Sequence, residues 1–371
     1  MGRKKKEPVN VEDVEQGLKN PKQKEVKIPK FVSSGCTILD LALSDKLDGG
    51  YLLGSFVNVI GDSSSGKSML ALTMCAEAVR NKSLNDYSFI YDLPEATMNF
   101  DLESMFGSKF EKMIFLPEDR TRARTIQEWH HDLYRYSSGP IIQVTDSFDA
   151  LTAIGDVDAV EAGNAVAKTG WKTEKAVVSS AAFPQIIGRI EEHNSLLFII
   201  SQVRSNIGVS FGPSKKQAGG YALEFYRTRA LWLSEGKKIT VSVREKDREI
   251  GHWTHCKITK NKVTGKIRQI SFPVYYDYGI DDIGASVEWM INEGFWGVEK
   301  RTGKLTLAEE DYVSLNIDPE KKLVRSSIIK HIENKQYEGK LKQIVGECWS
   351  EVENEIKSKI DRKPKYWNDT E

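Results

Sequence analysis

Residues 57–70 read VNVIGDSSSGKSML, an apolar run that breaks into a glycine- and serine-rich loop and resumes as a helix-forming stretch. Gly61, Asp62, Ser63, Ser64, Ser65, Gly66, Lys67 and Ser68 satisfy every fixed position of GxxxxGK[ST]. Glycines at those places let successive backbone N–H groups turn inward, and the helix that follows points its positive end at the same spot. Such a loop is built for the phosphates of a nucleoside triphosphate. Lys67 is placed to reach the β- and γ-phosphates, and the Ser68 hydroxyl to ligate Mg2+. The flanking SFVNVI and SMLALTMCAEAVR supply the strand and the helix that this reading requires.

Working outward, the runs YSFIYD, PIIQVTD and LLFIIS are short and apolar, and stretches such as TIQEWHHDLYRY (residues 125–136) separate them with apolar residues at helical spacing. Alternation of that kind predicts an α/β fold with a mostly parallel sheet buried on both faces. Residues 1–30 carry nine Lys or Arg against five Asp or Glu with little apolar periodicity, which predicts a basic N-terminal arm. Residues 31–297 form the expected core, and the charge-dense residues 298–371 a small helical C-terminal appendage.

The 371 residues hold 53 basic and 53 acidic side chains, so a nucleic-acid surface must come from local clustering rather than bulk charge. The four cysteines are far apart and form no CxxC pair, which excludes a disulfide framework or a zinc site as the organising principle. No apolar run approaches the roughly 20 residues of a membrane helix, so the expectation is a cytoplasmic protein with no membrane partner. His252 and His255 alternate with Cys256 in a strand-like segment without a fourth ligand and read as structural. Asp146, at the end of PIIQVTD, is a candidate for holding Mg2+ through its water shell. Another strand ends near Asp92 and Glu95, and either carboxylate could polarise an attacking water.

Together these residues resemble the RecA family of DNA recombinases. FVSSGCTILDLAL is similar to that family's lead-in to the phosphate loop, SLLFIISQVRSNIGVSFG with GGYALEFYRTRALWL resembles its second DNA-binding loop and the next helix, and KITKNKVTGKIRQISFPVYYDYGID resembles its VVKNK segment and the strands beyond. The likeness spans residues 31–297 and implies a RecA-like P-loop ATPase core using ATP and Mg2+. It gives Glu95 the place of the catalytic glutamate, with one or two extra residues before it, and Gln202 that of the glutamine that senses the γ-phosphate. Within the loop, Arg204 and Ile207 match positions that contact the DNA backbone and wedge between bases. Gly219 and Gly220 present amides to phosphate, and Lys215 and Lys216 add local charge. Lys260 and Lys262 match the pair that reaches across a subunit interface to the neighbour's ATP, and Phe225 an aromatic that packs into the adjacent subunit.

Asn99 and Leu102 stand where the family has its adenine-contacting Asp and Tyr, which leaves Phe100 to stack on the base or that contact to be lost. The first DNA loop falls within GDVDAVEAGNAVAKTGW, with Trp171 as a stacking or core residue. The implied activity is ATP-dependent assembly into a helical filament on single-stranded DNA, then pairing with homologous duplex DNA and strand exchange. A ring-shaped motor of the same core fold, such as a helicase, and a non-catalytic recombination accessory are the competing readings.

Overall fold

The computed structural model describes residues 30–95, 100–115, 124–163, 171–205, 215–217, 221–321, 323–360 and 362. The basic N-terminal arm before Lys30, Asn99, Ile207, Gly219 and Gly220 lie outside them. In chain order, β1 (Phe31–Val32), α1 (Thr37–Ser44) and β2 (Tyr51–Leu52) lead to β3 (Ser55–Gly61) and α2 (Lys67–Arg80). Next come β4 (Ser88–Asp92), α3 (Leu102–Phe106), α4 (Ser108–Met113), β5 (Ile114–Phe115), α5 (Ile126–Tyr136) and β6 (Ile141–Thr145). After α6 (Ile154–Glu161), α7 (Trp171–Glu192), β7 (Leu196–Ser205), β8 (Lys215–Gln217) and α8 (Tyr221–Tyr226), the long β9 (Arg229–Val243) and β10 (Lys246–Asn261) run to β11 (Arg268–Tyr275) and β12 (Gly279–Ile280). The chain continues through α9 (Asp282–Asn292), β13 (Gly297–Val298), β14 (Leu305–Thr306), α10 (Glu309–Ser314), α11 (Arg325–Lys335) and α12 (Glu338–Ser358).

One large sheet organises the molecule in the order β12-β11-β10-β9-β3-β7-β6-β4-β5, with β8 on β7. From β9 to β5 the neighbours are parallel, and from β9 to β12 they are antiparallel. This is the α/β fold with a mostly parallel sheet that the apolar runs predicted. Its strands alternate between two cores as the period-2 geometry of a strand demands. Val57, Val59, Leu196, Phe198 and Ile200 enter one apolar cluster, with α1, α2 and the C-terminal helices; Phe56, Leu197 and Ile199 enter the other, with α5 and α7.

TIQEWHHDLYRY forms α5 as its spacing predicted. Thr125 caps it: the Glu128 amide donates to the Thr125 hydroxyl at 3.2 Å, and the Glu128 carboxylate accepts from the Thr125 amide at 2.9 Å. Ile126, Trp129 and Leu133 face the sheet, and the Trp129 indole donates to Thr145 at 2.9 Å, anchoring the helix on the end of β6. The stretch holding the expected first DNA loop is helical over Ile154–Glu161, residues 164–170 lie outside the description, and Trp171 opens α7.

The C-terminal helices share the first core through Ile328, Ile332, Leu341, Val345 and Trp349. Arg268 staples them down. Its guanidinium donates to the Ala42 carbonyl at 3.0 Å, lies 5.0 Å from the Trp349 ring centre, and pairs with both Asp45 and Glu353. The side chain is only 11% exposed, so its pairs fall between a surface ion pair, worth roughly 1 kcal/mol at most, and a buried one, which costs about 3–5 kcal/mol to break. Arg268→Ala is expected to lower the unfolding free energy by about 2 kcal/mol in urea titration and to expose α12 to protease. An unchanged midpoint would remove the staple from the account.

Candidate functional site

The phosphate loop leaves the C-terminal end of β3 and closes on the start of α2. It needs glycine at both ends. A Cβ on Gly61 would sit 2.5 Å from the Leu233 carbonyl oxygen, and Gly66, the residue before the helix, has φ +87°. Ser64 also takes a positive φ of 61°, which curls the loop, and Ser63 and Ser64 are exposed at its mouth. Inside, the Ser65 hydroxyl donates to the Asp62 carbonyl at 2.8 Å. The Lys67 ammonium, buried at 8% exposure, donates to the same carbonyl at 2.5 Å. Burial lowers the Lys67 pKa, against the pull of Asp146, Asp62, Glu95 and Asp149.

Neighbouring strand ends bring the remaining groups to the loop. The Asp146 carboxylate, just past β6, accepts from the Tyr91 hydroxyl at 2.8 Å and has Ser68 close by. Burial raises its pKa, and the neighbouring Ser68 and Tyr91 hydroxyls oppose the rise. Glu95, past the end of β4, accepts from the Ser147 hydroxyl at 2.5 Å and from the Gln202 side-chain amide at 3.0 Å. Gln202 itself lies opposite Gly61 in the β3–β7 ladder. Its backbone amide donates to Asp149 at 2.6 Å, tying β7 to the turn that carries Asp146.

Asp92 and Glu95 have different surroundings. The Asp92 side chain is 2% exposed and pairs with Arg124 at 2.9 Å, so that carboxylate is spent inside the fold. Glu95 is exposed and faces the loop's side of the sheet through Gln202. Residue type and spacing gave no hint of Arg124, which sits 32 positions beyond Asp92 in the sequence. Lys175 carried no signal either; its buried ammonium donates to the carbonyls of Phe148 at 2.6 Å and Leu151 at 3.0 Å and so fixes the turn after Asp146.

The other expected residues lie in two further regions. Beyond Gln202, β7 runs on to pair with β8 in a short antiparallel stem, with Arg204 opposite Lys216 and Ser205 opposite Lys215. On the α8 side, Phe225 is 71% exposed, and the Lys260 ammonium donates to the carbonyls of Glu224 at 2.8 Å and Phe225 at 3.3 Å. Lys262 follows at the end of β10, its amide held by the Thr228 carbonyl at 3.0 Å. Leu102 is buried at the start of α3, and Phe100 is 40% exposed beside it.

The Lys67 ammonium, the Ser68 hydroxyl, the Asp146 and Glu95 carboxylates and the Gln202 amide thus converge at the C-terminal edge of a parallel sheet, the place where α/β proteins bind ligands. The set suits a nucleotide with Mg2+. The helix terminus and ammonium fit phosphate, the Ser68–Asp146 pair fits a hard cation, and Glu95 is the group able to take a proton from water. Among the described residues, no helix is long and apolar enough to cross a membrane.

Residues 15–281 match the family model of the RecA N-terminal domain. The chain is 30% identical to Protein RecA of Colwellia psychrerythraea over 269 residues, 72% of each chain. It is also 30% identical to Protein RecA of Marinobacter nauticus over 264 residues, 71% of this chain and 70% of the relative. Protein RecA of Brucella canis is 31% identical over 268 residues, 71% of this chain and 67% of the relative. A match of that extent, running through the loop and every strand that borders it, decides what kind of core surrounds the site: this chain belongs to the RecA family.

Proposed function

We propose that the protein is a DNA-dependent ATPase of the recombinase type. It assembles as a helical filament on single-stranded DNA, pairs that strand with homologous duplex DNA and exchanges strands, in the cytoplasm. The observation that carries this reading is the 3.0 Å hydrogen bond between Gln202 and Glu95, because Gln202 also opens the stem that holds Arg204. A single side chain thereby links the hydrolytic end of the nucleotide site to the segment proposed to grip DNA.

In this scheme the amides of Gly61–Ser68 and the Lys67 ammonium hold the phosphates, while Ser68 and Asp146 hold Mg2+. When bound, ATP with Mg2+ supplies the phosphoryl group to be cleaved and neutralises charge on its oxygens. Glu95 takes the proton of the attacking water, and the Gln202 amide moves between Glu95 and the γ-phosphate, ordering or releasing the DNA segment. Arg204 neutralises backbone phosphate, Ile207 wedges between bases, and Gly219 and Gly220 offer amides to phosphate. Phe225, exposed beside Lys260 and Lys262, forms the face toward the next subunit, where a cation supplied in trans would stabilise charge on the neighbour's γ-phosphate. Residues 1–30 act as a basic arm, 31–297 as the catalytic core and 298–371 as an accessory unit.

The direct test is ATP hydrolysis by the purified protein with and without single-stranded DNA, followed by strand exchange with a homologous duplex. Stimulation by DNA together with exchange is expected. Turnover on closed rings in electron micrographs, without exchange, would favour a ring-shaped motor instead. Glu95→Gln should retain nucleotide binding and lose about 10²–10⁴-fold in hydrolysis, the usual contribution of a general base. Arg204→Ala should weaken single-strand binding and reduce its salt slope by about one unit while nucleotide binding persists. If nucleotide binding vanished as well, the stem would belong to the nucleotide pocket rather than to DNA.

A further inference from the structure

His252 projects from β10 toward the phosphate loop. It is 4% exposed, and its Nε2 is buried without a hydrogen-bond partner among the described residues. The atom lies against Gly66: a Cβ built there would be 3.9 Å from the His252 Nε2 and 3.0 Å from the Thr254 hydroxyl, which itself donates to the Ser65 carbonyl at 3.3 Å. A second strand residue thus supports the loop from the same side, and the imidazole stands one residue from Lys67. A buried nitrogen left unpaired costs stability, so its position beside an anion-binding loop calls for a reason.

Among the described residues, the carboxylates near it are already paired. On β9, Lys238, the cross-strand neighbour of His252, pairs with Glu235 and, at 2.8 Å, with Glu249 of β10. Glu249 also accepts from the Tyr276 hydroxyl, past the end of β11, and that ring lies 6.1 Å from the imidazole. The facing residue on β11 is the apolar Val274. On the loop, the Lys67 ammonium is turned to the Asp62 carbonyl.

The geometry points to His252 as the proton-coupled group of the nucleotide site: an anion held by the loop draws a proton onto the imidazole, and acid therefore tightens nucleotide binding. This rests on the nucleotide reading given above. Burial lowers the His252 pKa in the free protein, Glu235 and Glu249 opposing and Lys238 reinforcing the shift, so the ring begins neutral near pH 7. Negative charge brought to the adjacent loop favours the imidazolium and raises that pKa. By linkage, affinity rises as pH falls through the window between the free and bound values.

The test is calorimetric titration with the Mg2+ complex of a non-hydrolysable ATP analogue between pH 6 and 8, in pairs of buffers with different ionisation enthalpies. The wild type should take up a proton on binding and gain affinity by up to about tenfold per pH unit, the slope of one linked proton. His252→Gln keeps a donor but cannot titrate, and should show neither; the nucleotide's own titration cancels between the two proteins. Equal proton uptake and equal slopes overturn the inference alone. Failure of the wild type to bind at all overturns the nucleotide reading with it. The wild type's six histidines give a second measurement that needs no variant. One imidazole proton resonance must titrate at higher pH with the analogue bound, and six unchanged titrations overturn the inference.

Discussion

The arrangement depends on one register. In the parallel ladder between β3 and β7, Ser55 lies opposite Leu196 and Gly61 opposite Gln202. That pairing sets the first residue of the phosphate loop beside the residue that leads into the β7–β8 stem. A slip of one residue would turn Leu196, Phe198 and Ile200 toward the other core and carry Gln202 away from the loop. Because both faces of the sheet are buried, such a slip would mismatch two cores at once. The apolar runs therefore do more than fill space. They determine which polar groups meet at the strand ends.

Cross-ties at those ends convert the register into a site. The Asp146 amide donates to the Asp92 carbonyl at 2.9 Å, extending the β4–β6 pairing one step past the strand. Gln202 is bonded through its backbone to Asp149 and through its side chain to Glu95. Three strands and the turn after β6 are thus joined by short polar links; the Gln202–Asp149 link is partly buried, where a hydrogen bond is stronger than in water, and the Gln202–Glu95 link is exposed. Arg124 and Lys175 hold this frame from behind by satisfying Asp92 and the Phe148–Leu151 carbonyls.

How much of this was legible in the sequence follows from whether a signal is local. The phosphate loop is contiguous, so its eight residues announced themselves, and the strands announced themselves through apolar runs bounded by polar turns. The choice between Asp92 and Glu95 depends on Arg124, a partner supplied by another segment, and no spacing rule reaches it. His252 shows the same limit. Within β10 it alternates like any structural residue, and only the folding of β10 beneath Gly66 brings it to the loop. The apolar spacing continues from α11 into α12, so only the structure shows the helix broken at Gln336, with φ +55°. Across Gly297 the Trp296 indole donates to Asp311 at 2.8 Å, and one core runs beneath both sides, a long-range packing that composition does not reveal.

The β7–β8 stem continues directly from the residue that closes on Glu95. Arg204 lies opposite Lys216 in its ladder, and Ser205 opposite Lys215. On the proposed reading, DNA binds the stem, while Gln202, two residues before Arg204, fixes its base when its amide is engaged. Nucleotide and DNA then act on the same short segment from opposite ends. Each lowers the cost of ordering it for the other, which is positive coupling without any need for a large rearrangement of the sheet.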